Sequence, residues 1–321
     1  MNRQIVRKIA AAATGLLAAF FLLPHAAAQE APRLVLQITV DQLRGDLPTR
    51  YYERLGEGGF RYLLEEGVVY RNAHHAHANT ETIVGHTTLA TGAHPAGHGM
   101  VGNLWFDREA GLTTYNVEDA RYPLLTVGAD VDEDTEIDPT QRAARSEGRS
   151  PSAILVSTFS DELRSYSNGR SKAIGVSVKD RGAISMAGHA GTAYWFSKAS
   201  GEFVTSRYYM DDYPDWVDDF NSGKPAQRFA NTAWTLLHDQ DTYLFGDSDD
   251  RDWETDVAGF GNTFPHSFGD GSSPYFTTWL TLSPAGDQLV LDFAKQVIVN
   301  ESLGADDIPD YLSVSFSSTD Y

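Results

Sequence analysis

The 321-residue sequence has no cysteine. It therefore cannot form disulfides or thiolate metal sites, and any bound metal must be held by histidine and carboxylate side chains. Positive charge is also scarce, since 25 Lys and Arg residues face 44 Asp and Glu residues and the formal net charge is −19. This acidic balance argues against nucleic acid and anionic membranes as partners, and an anionic substrate would need a local cationic pocket.

Long apolar runs are absent after the first 28 residues, so no membrane-spanning segment is expected in the mature chain. Residues 1–28 combine a basic start, an apolar stretch over residues 9–23 and an Ala-rich cleavage site, which is typical of a secretory signal peptide. A membrane anchor is the alternative, but the apolar stretch is short and is followed by Pro24. We therefore predict cleavage before Gln29, a mature chain of residues 29–321, and a soluble protein that is periplasmic or secreted.

Predicted strands alternate with predicted helices along the rest of the sequence. This order predicts the α/β class, with a mainly parallel sheet sandwiched by helices. Residues 185–283 contain many aromatic residues, Gly and Asp but few periodic runs, and we predict that they form an inserted cap over the sheet. The predicted strands are Leu34–Val40, Lys172–Val178 and Tyr311–Phe316, and the predicted helices are Tyr51–Glu66, Thr82–Ala90, Ser152–Ser165 and Gly286–Leu303.

Polar residues follow the three predicted strands. Asp41, Lys179 and Asp320 each fall just past the carboxyl end of a strand. In a parallel sheet these ends lie along one edge, where ligands collect. The sequence therefore predicts that three side chains far apart in the chain converge at that edge.

Thr82 begins a short predicted helix. Asn79 and Thr80 are of the types that cap helix N-termini, and Gly92 is a natural helix end. Unpaired N–H groups and the helix dipole at such a terminus favour an anion, and a hydroxyl there can attack an electrophile bound by the same amides. Most threonines near a helix start are caps, so the position alone does not identify a nucleophile.

Four sequence blocks resemble the alkaline phosphatase superfamily. The blocks are VDQLRGD, ETIVGHTTLATGAHPAGHGMVGN, SVKDRGAISMAGHAGTAYW and SVSFSSTDY, and they run in family order from about residue 34 to the last residue. One block would be a weak signal, whereas four in order are specific. Within the superfamily they are similar to the secreted bacterial phosphomonoesterases, which use a threonine nucleophile and two zinc ions.

The resemblance implies a nucleophile and part of a metal site. Thr82 would be the nucleophile, and Asp41, Thr82 and Asp320 would be zinc ligands. Taken without the resemblance, Asp41 is equally typical of a helix cap or turn, and Asp320 of a frayed chain end. His86, near Thr82, is predicted to be structural rather than a ligand.

The resemblance also implies a phosphate-binding set. Lys179 and Arg181 would bind phosphoryl oxygens, because Arg offers paired donors and Lys a point charge. Asn103 would add a neutral donor. Without the resemblance, Lys179-Asp180-Arg181 is typical of a solvated turn and Asn103 of a turn residue.

These roles imply hydrolysis of small phosphate monoesters through a phosphothreonine intermediate. The rival function is that of a phosphodiesterase or nucleotide pyrophosphatase of the same superfamily, and Lys179 and Arg181 argue for the monoesterase. The C/S-x-P-x-R motif of the superfamily's sulfatases is missing from the sequence.

The sequence ends at Tyr321, inside the family's Asp-Tyr-x-Gly-His motif. The His of that motif, a later Asp-His pair and a final His complete the two zinc sites in the family. We therefore expect an N-terminal fragment of a longer enzyme, inactive as given, with an incomplete fold that exposes strand Tyr311–Phe316 as an unpaired edge. The alternative is a non-catalytic exported protein, either a binding protein or a vestigial one.

Overall fold

The computed structural model describes residues 31–321. The predicted signal peptide, residues 1–28, lies outside this range. Within it, no helix is both long enough and apolar enough to cross a bilayer. Residues 33–321 form one compact unit.

In chain order, the strands of this unit are β1 Leu34–Val40, β2 Leu104–Asp107, β3 Leu112–Tyr115, β4 Glu118–Pro123, β5 Gly148–Arg149, β6 Ala173–Ser177, β7 Thr192–Phe196, β8 Phe203–Val204, β9 Ala233–Trp234, β10 His266–Ser267 and β11 Asp310–Phe316. The α-helices are α1 Leu47–Arg50, α2 Phe60–Glu66, α3 Thr82–Thr91, α4 Pro95–His98, α5 Pro139–Arg142, α6 Phe159–Tyr166, α7 Asp180–Ala187, α8 Asp215–Ser222, α9 Phe276–Thr281 and α10 Pro284–Asn300. Short 3₁₀ turns cover Tyr52–Arg54, Pro225–Phe229, Gln240–Thr242 and Ser318–Asp320.

A five-stranded sheet with the order β1-β11-β6-β7-β8 forms the centre of the fold. The pairs β1–β11, β11–β6 and β6–β7 are parallel, and β8 runs antiparallel to β7. The predicted α/β class with a mainly parallel sheet is confirmed.

Helices cover both faces of this sheet. Side chains of β7 alternate between two apolar cores, with Tyr194 and Phe196 in one and Ala193 and Trp195 in the other. The first core packs against α10, where Phe293 is fully buried, and the second packs against α3 and α7. Burial on both faces is what the continuous apolar strands require.

The last strand, β11, lies inside the sheet between β1 and β6. The prediction that Tyr311–Phe316 exposes an unpaired edge is therefore wrong. β11 pairs along its whole length with β1, from Leu34↔Asp310 to Val40↔Phe316. The edge strand on this side of the sheet is β1, because β11 lies between β1 and β6.

The predicted helix Tyr51–Glu66 is broken. A 3₁₀ turn ends at Arg54, and α2 begins only at Phe60. Gly59, which precedes α2, has φ +60 and so cannot continue a right-handed helix.

The predicted helix Ser152–Ser165 begins later, at Phe159. Thr158 and Asp161 form a capping box, in which each side chain accepts the other residue's backbone N–H, at 3.2 and 2.8 Å. This local motif sets the helix start more strongly than the preceding apolar pattern does.

The predicted cap, residues 185–283, starts too early. The end of α7 is buried under the sheet, and β7 and β8 are strands of the sheet itself. The irregular region therefore begins after Val204. From there to α9, the described chain has short elements, including α8 and the hairpin of β9 and β10.

Helix α7 approaches the sheet most closely at Gly175 of β6. A Cβ built on Gly175 would come within 3.0 Å of the carbonyl oxygen of Ala183 in α7. Real Cβ atoms essentially never lie so close to a backbone atom, so the glycine permits this packing. Because α7 begins right after Lys179, the contact also fixes the position of the candidate phosphate-binding residues.

We expect Gly175→Ala to lower the free energy of unfolding by about 1–3 kcal/mol, because the helix must move off the sheet. Denaturant unfolding measures the change. Gly56→Ala is the matched control, since a Cβ at Gly56 meets nothing within 4 Å. Equal stability of the two variants would contradict the close packing.

Candidate active site

The three polar residues at the strand ends converge as predicted. Asp41 directly follows β1, Lys179 follows β6, and Asp320 lies in the 3₁₀ turn after β11. The Lys179 ammonium group donates to Asp41 Oδ2 at 3.1 Å and also to Asp320 Oδ2. Lys179 is 1% exposed, so a buried ammonium group joins two carboxylates from neighbouring strands.

The two carboxylates differ in their acidity. Burial is the largest single influence on the pKa of Asp41 and tends to raise it, but Lys179, His86 and Arg181 together hold this pKa below its ordinary value. For Asp320, burial outweighs Lys179 and raises the pKa. Asp41 is therefore the more firmly ionised partner at neutral pH.

Thr82 is the first residue of α3, and its side chain is buried. Its hydroxyl donates to Asp41 Oδ2 at 3.3 Å. The residue before the helix is Glu81, which makes no capping hydrogen bond with its side chain, so neither Asn79 nor Thr80 is the cap. The Glu81 side chain therefore does not cap the first N–H groups of α3.

Asn103 is held in one orientation by three contacts. Its Oδ1 accepts the backbone N–H of Ile83 at 3.1 Å, its backbone N–H donates to the Glu81 carboxylate, and its carbonyl accepts from Asn116 Nδ2 at 2.8 Å. Because Oδ1 faces the helix, the NH₂ group of Asn103 is the part of the side chain left to contact a ligand.

Arg181 has two fixed partners. One terminal nitrogen donates to Asp138 Oδ2 at 2.9 Å and the other to the Tyr115 hydroxyl at 3.2 Å. The side chain is 3% exposed, and its Nε has no partner among the described residues. An oriented guanidinium group with a spare donor suits recognition of a phosphoryl oxygen.

Asp180, between the two candidate cations, is fully buried. It accepts from Tyr115 Oη at 2.5 Å, Gln141 Nε2 at 3.1 Å, Arg149 Nε at 2.7 Å and the backbone N–H of Arg181 at 2.7 Å. Burial alone would raise the pKa of Asp180, but Arg149 and Arg181 together hold this pKa below its ordinary value. Lys179-Asp180-Arg181, which without the resemblance is typical of a solvated turn, is therefore part of a buried ionic network.

His86 ties the candidate nucleophile to the sheet. Its Nδ1 lies 2.8 Å from the Thr82 carbonyl oxygen and its Nε2 lies 2.8 Å from Ser315 Oγ in β11. A carbonyl only accepts, so Nδ1 carries the proton and Nε2 accepts from the serine. Burial lowers the pKa of His86 and favours this neutral form, consistent with the predicted structural role.

One cavity of about 700 Å³ joins most of the predicted residues. Asn103, Lys179, Arg181 and Asp320 line it. Val257 and neighbouring residues of the irregular region line it as well. Residues of the irregular region after Val204 therefore form part of the wall of this cavity.

The described residues do not form a complete zinc site. Among them, no group of three or more His, Asp or Glu side chains could hold a metal ion. Asp41 and Asp320 are both engaged by Lys179, and Thr82 adds only a hydroxyl. Zinc generally takes at least three protein ligands, so these residues fit only part of a ligand set.

Three supporting residues were not predicted from the sequence: Glu81, Asp138 and Asp180. Their partners, Asn103, Arg181 and Arg149, are distant in the sequence, so no local pattern links the members of each pair. Only Asp138 has a local signal, because an Asp directly before Pro139 is typical of a helix start, and its side chain does cap α5.

A model of the type I phosphodiesterase / nucleotide pyrophosphatase family matches residues 35–321. Alkaline phosphatase PhoV of Synechococcus elongatus is 38% identical over 292 residues, which are 90% of this chain and 50% of that protein. A Myroides odoratus protein named calcium-transporting ATPase is 37% identical over 300 residues, which are 91% of this chain and 51% of that protein. The chain spans about half the length of these curated relatives.

Crystal structures of alkaline phosphatase PafA have a similar fold. The wild-type structure gives a TM-score of 0.76 and a mutant structure 0.78, each at 33% identity, and the match covers 90% of this chain and 54% of that chain. In the mutant, one threonine, one asparagine, one lysine and one arginine are replaced.

We expect Asp180→Asn to lower the free energy of unfolding by about 3–5 kcal/mol at pH 7, because Arg149 loses a buried charged partner. The folded-state pKa of Asp180 lies below its unfolded value, so this stabilisation is present at neutral pH and is lost as the pH falls through about 4 and below. Denaturant unfolding of the wild type and of Asp180→Asn between pH 7 and pH 3 measures the difference in their free energies of unfolding, which should become smaller as the pH falls.

The control is Asp46→Asn, which removes an exposed carboxylate that also pairs with an arginine, Arg44. Exposed pairs contribute little, so its stability should match the wild type. The buried ionic network would be contradicted if the free energies of unfolding of Asp180→Asn and the wild type differed little at pH 7, or if their difference did not become smaller in acid.

Proposed function

Since the chain belongs to the type I phosphodiesterase / nucleotide pyrophosphatase family, within the alkaline phosphatase superfamily, we propose that the protein hydrolyses phosphate monoesters with Thr82 as nucleophile. The Thr82 oxygen attacks phosphorus in line, the alcohol leaves, and water then releases phosphate from the phosphothreonine. The observation that carries this proposal is the placement of the Thr82 hydroxyl, at the start of α3 and 3.3 Å from Asp41.

The chain's own residues support this chemistry in three ways. Asp41, held ionised by Lys179, accepts the hydrogen of the Thr82 hydroxyl and so orients its lone pairs. Asn103 and Arg181 offer oriented donors for phosphoryl oxygens. Preorganised donors of this kind stabilise the charge that develops in the transition state.

The PafA mutant adds support from spacing. Its replaced threonine and asparagine are 21 positions apart, and its replaced lysine and arginine are two apart. Thr82 and Asn103 have the first spacing, and Lys179 and Arg181 have the second. The same four residue types at these two intervals single out the same four residues of this chain that we propose for the reaction.

A metal cofactor belongs to the proposal. Alkaline phosphatases are generally metal-dependent, and the resemblance implies two zinc ions, whose Lewis acidity would activate the nucleophile and stabilise the leaving oxygen. Asp41, Thr82 and Asp320 would contribute to their ligand sets, with further ligands from outside the described residues. We also propose an exported protein, periplasmic or secreted, that acts on small phosphorylated molecules rather than nucleic acid or membranes.

Monoesters are favoured over diesters by the paired cations. A monoester presents a dianionic terminal phosphate with one more charged oxygen than a diester. Lys179 and Arg181 lie on one short segment and offer two donor groups to those oxygens. The family's description includes phosphodiesterases and nucleotide pyrophosphatases, so the diesterase is the second candidate.

We expect Thr82→Ala to abolish formation of an acid-stable phosphoprotein, because no oxygen remains to bond phosphorus. The experiment uses the longest reading frame that contains this chain, labelled with a ³²P monoester and quenched in acid. Thr82→Ser keeps the oxygen and serves as the control, with labelling retained. Undiminished turnover by Thr82→Ala would refute the assignment of the nucleophile.

We expect Arg181→Ala to lower kcat/KM for a monoester about 100-fold, and for the matching methyl diester about tenfold, because the diester has one charged oxygen fewer. Steady-state kinetics on p-nitrophenyl phosphate and methyl p-nitrophenyl phosphate measure both losses. Arg170→Ala is the control, since Arg170 lies outside the cavity. Equal losses on the two esters would count against the monoesterase.

A further inference from the structure

The active cavity is larger than a phosphoryl group requires. Its volume of about 700 Å³ lies in the range of pockets that hold whole small molecules. Beyond the candidate phosphate-binding residues, its wall includes the charged residues Asp134 and Arg142. Among the described residues, the cavity therefore has room, and polar groups, for the alcohol part of an ester.

Arg142 is fixed relative to the phosphate-binding residues. It is the last residue of α5, and two neighbours anchor this short helix to the start of α7. Asp138 caps α5 by accepting from Thr140 N at 2.9 Å and also accepts from Arg181, and Gln141 donates to the buried Asp180. These contacts at both ends of α5 fix the backbone of Arg142 relative to the start of α7, and Arg142 and Arg181 line the same cavity.

Most other charges on the cavity wall are already neutralised. Lys179 pairs with Asp320, Arg181 with Asp138, and Glu136 with Lys198 outside the wall. The Arg142 side chain is exposed, and its guanidinium group has neither an ion pair nor a hydrogen bond among the described residues. Asp134, also exposed on the wall, does not pair with it.

We propose that Arg142 binds an anionic group, a carboxylate or a second phosphate, on the alcohol part of the substrate. The guanidinium group matches either anion with paired donors. This inference rests on the proposed function and deepens it, because it makes esters of anionic alcohols the preferred substrates. Arg142 is then a specificity residue, whereas Asn103, Lys179 and Arg181 serve the reacting phosphate.

Three esters on one three-carbon chain test the preference in the protein of the longest reading frame that contains this chain. They are 3-hydroxypropyl phosphate, 3-phosphonooxypropanoate and propane-1,3-diyl bisphosphate, which end in a hydroxyl, a carboxylate and a phosphate. We expect Arg142→Ala to lower kcat/KM about tenfold for one or both anionic esters and less than twofold for the neutral ester, since one exposed charge-assisted contact is lost. The carboxylate and bisphosphate arms identify which anion is bound.

Arg145→Ala is the matched control, because Arg145 is an exposed arginine three positions away that does not line the cavity. It should leave all three values unchanged. Equal losses on the neutral and anionic esters for Arg142→Ala, or no loss on any ester, would overturn the inference.

Binding separates this inference from the proposed function. Calorimetry with the phosphonates 4-phosphonobutanoate, pentane-1,5-bisphosphonate and 4-hydroxybutylphosphonate needs no turnover. We expect at least one anionic ligand to bind more tightly than the neutral one, and Arg142→Ala to remove the difference. A difference that survives in Arg142→Ala, or no binding of either anionic phosphonate, refutes the inference. Binding without turnover by the protein of the longest reading frame refutes only the proposed hydrolysis.

Discussion

Three consecutive charged side chains, Lys179, Asp180 and Arg181, are buried together at the start of α7, each 1–3% exposed. Charges without water are tolerated only when each is paired and hydrogen-bonded. Their partners come from β1, β3, α5, β5 and the turn after β11. The need to neutralise this one segment thus brings the distant parts of the chain together, and the candidate site is the place where they meet.

The same ion pairs reduce the positive charge of the pocket that an acidic protein needs for an anionic substrate. Lys179 is already shared by Asp41 and Asp320, and Arg181 is paired with Asp138, so neither is a free cation. What they keep is orientation, with donors aimed from fixed positions and Arg181 Nε still unpaired. Recognition of a phosphate would then depend on exchanging carboxylate partners for phosphoryl oxygens rather than on surplus charge.

The features that could be predicted from the sequence are those that depend on hydrophobic periodicity and on the residues at strand ends. The parallel sheet and the convergence of Asp41, Lys179 and Asp320 were foreseeable, because a polar residue after an apolar strand is a local pattern. The order of strands in the sheet could not be predicted, because chain order does not determine which strands are neighbours. β11 is an interior strand, between β1 and β6. The buried ionic network was also beyond reach, because Asp180 in sequence has the character of a solvated turn and acquires its partners only in the folded chain.

The edge strand β1 has a consequence for the described chain in solution. Leu36 and Ile38, 49% and 52% exposed, lie on a strand whose outer backbone groups have no strand partner in the described chain. Such an edge is a template for intermolecular β-pairing and aggregation. The acidic balance of the sequence, −19 in formal charge over all 321 residues, opposes this by colloidal repulsion between copies. Salt, which screens that repulsion, therefore shifts the balance from dispersed molecules toward self-association.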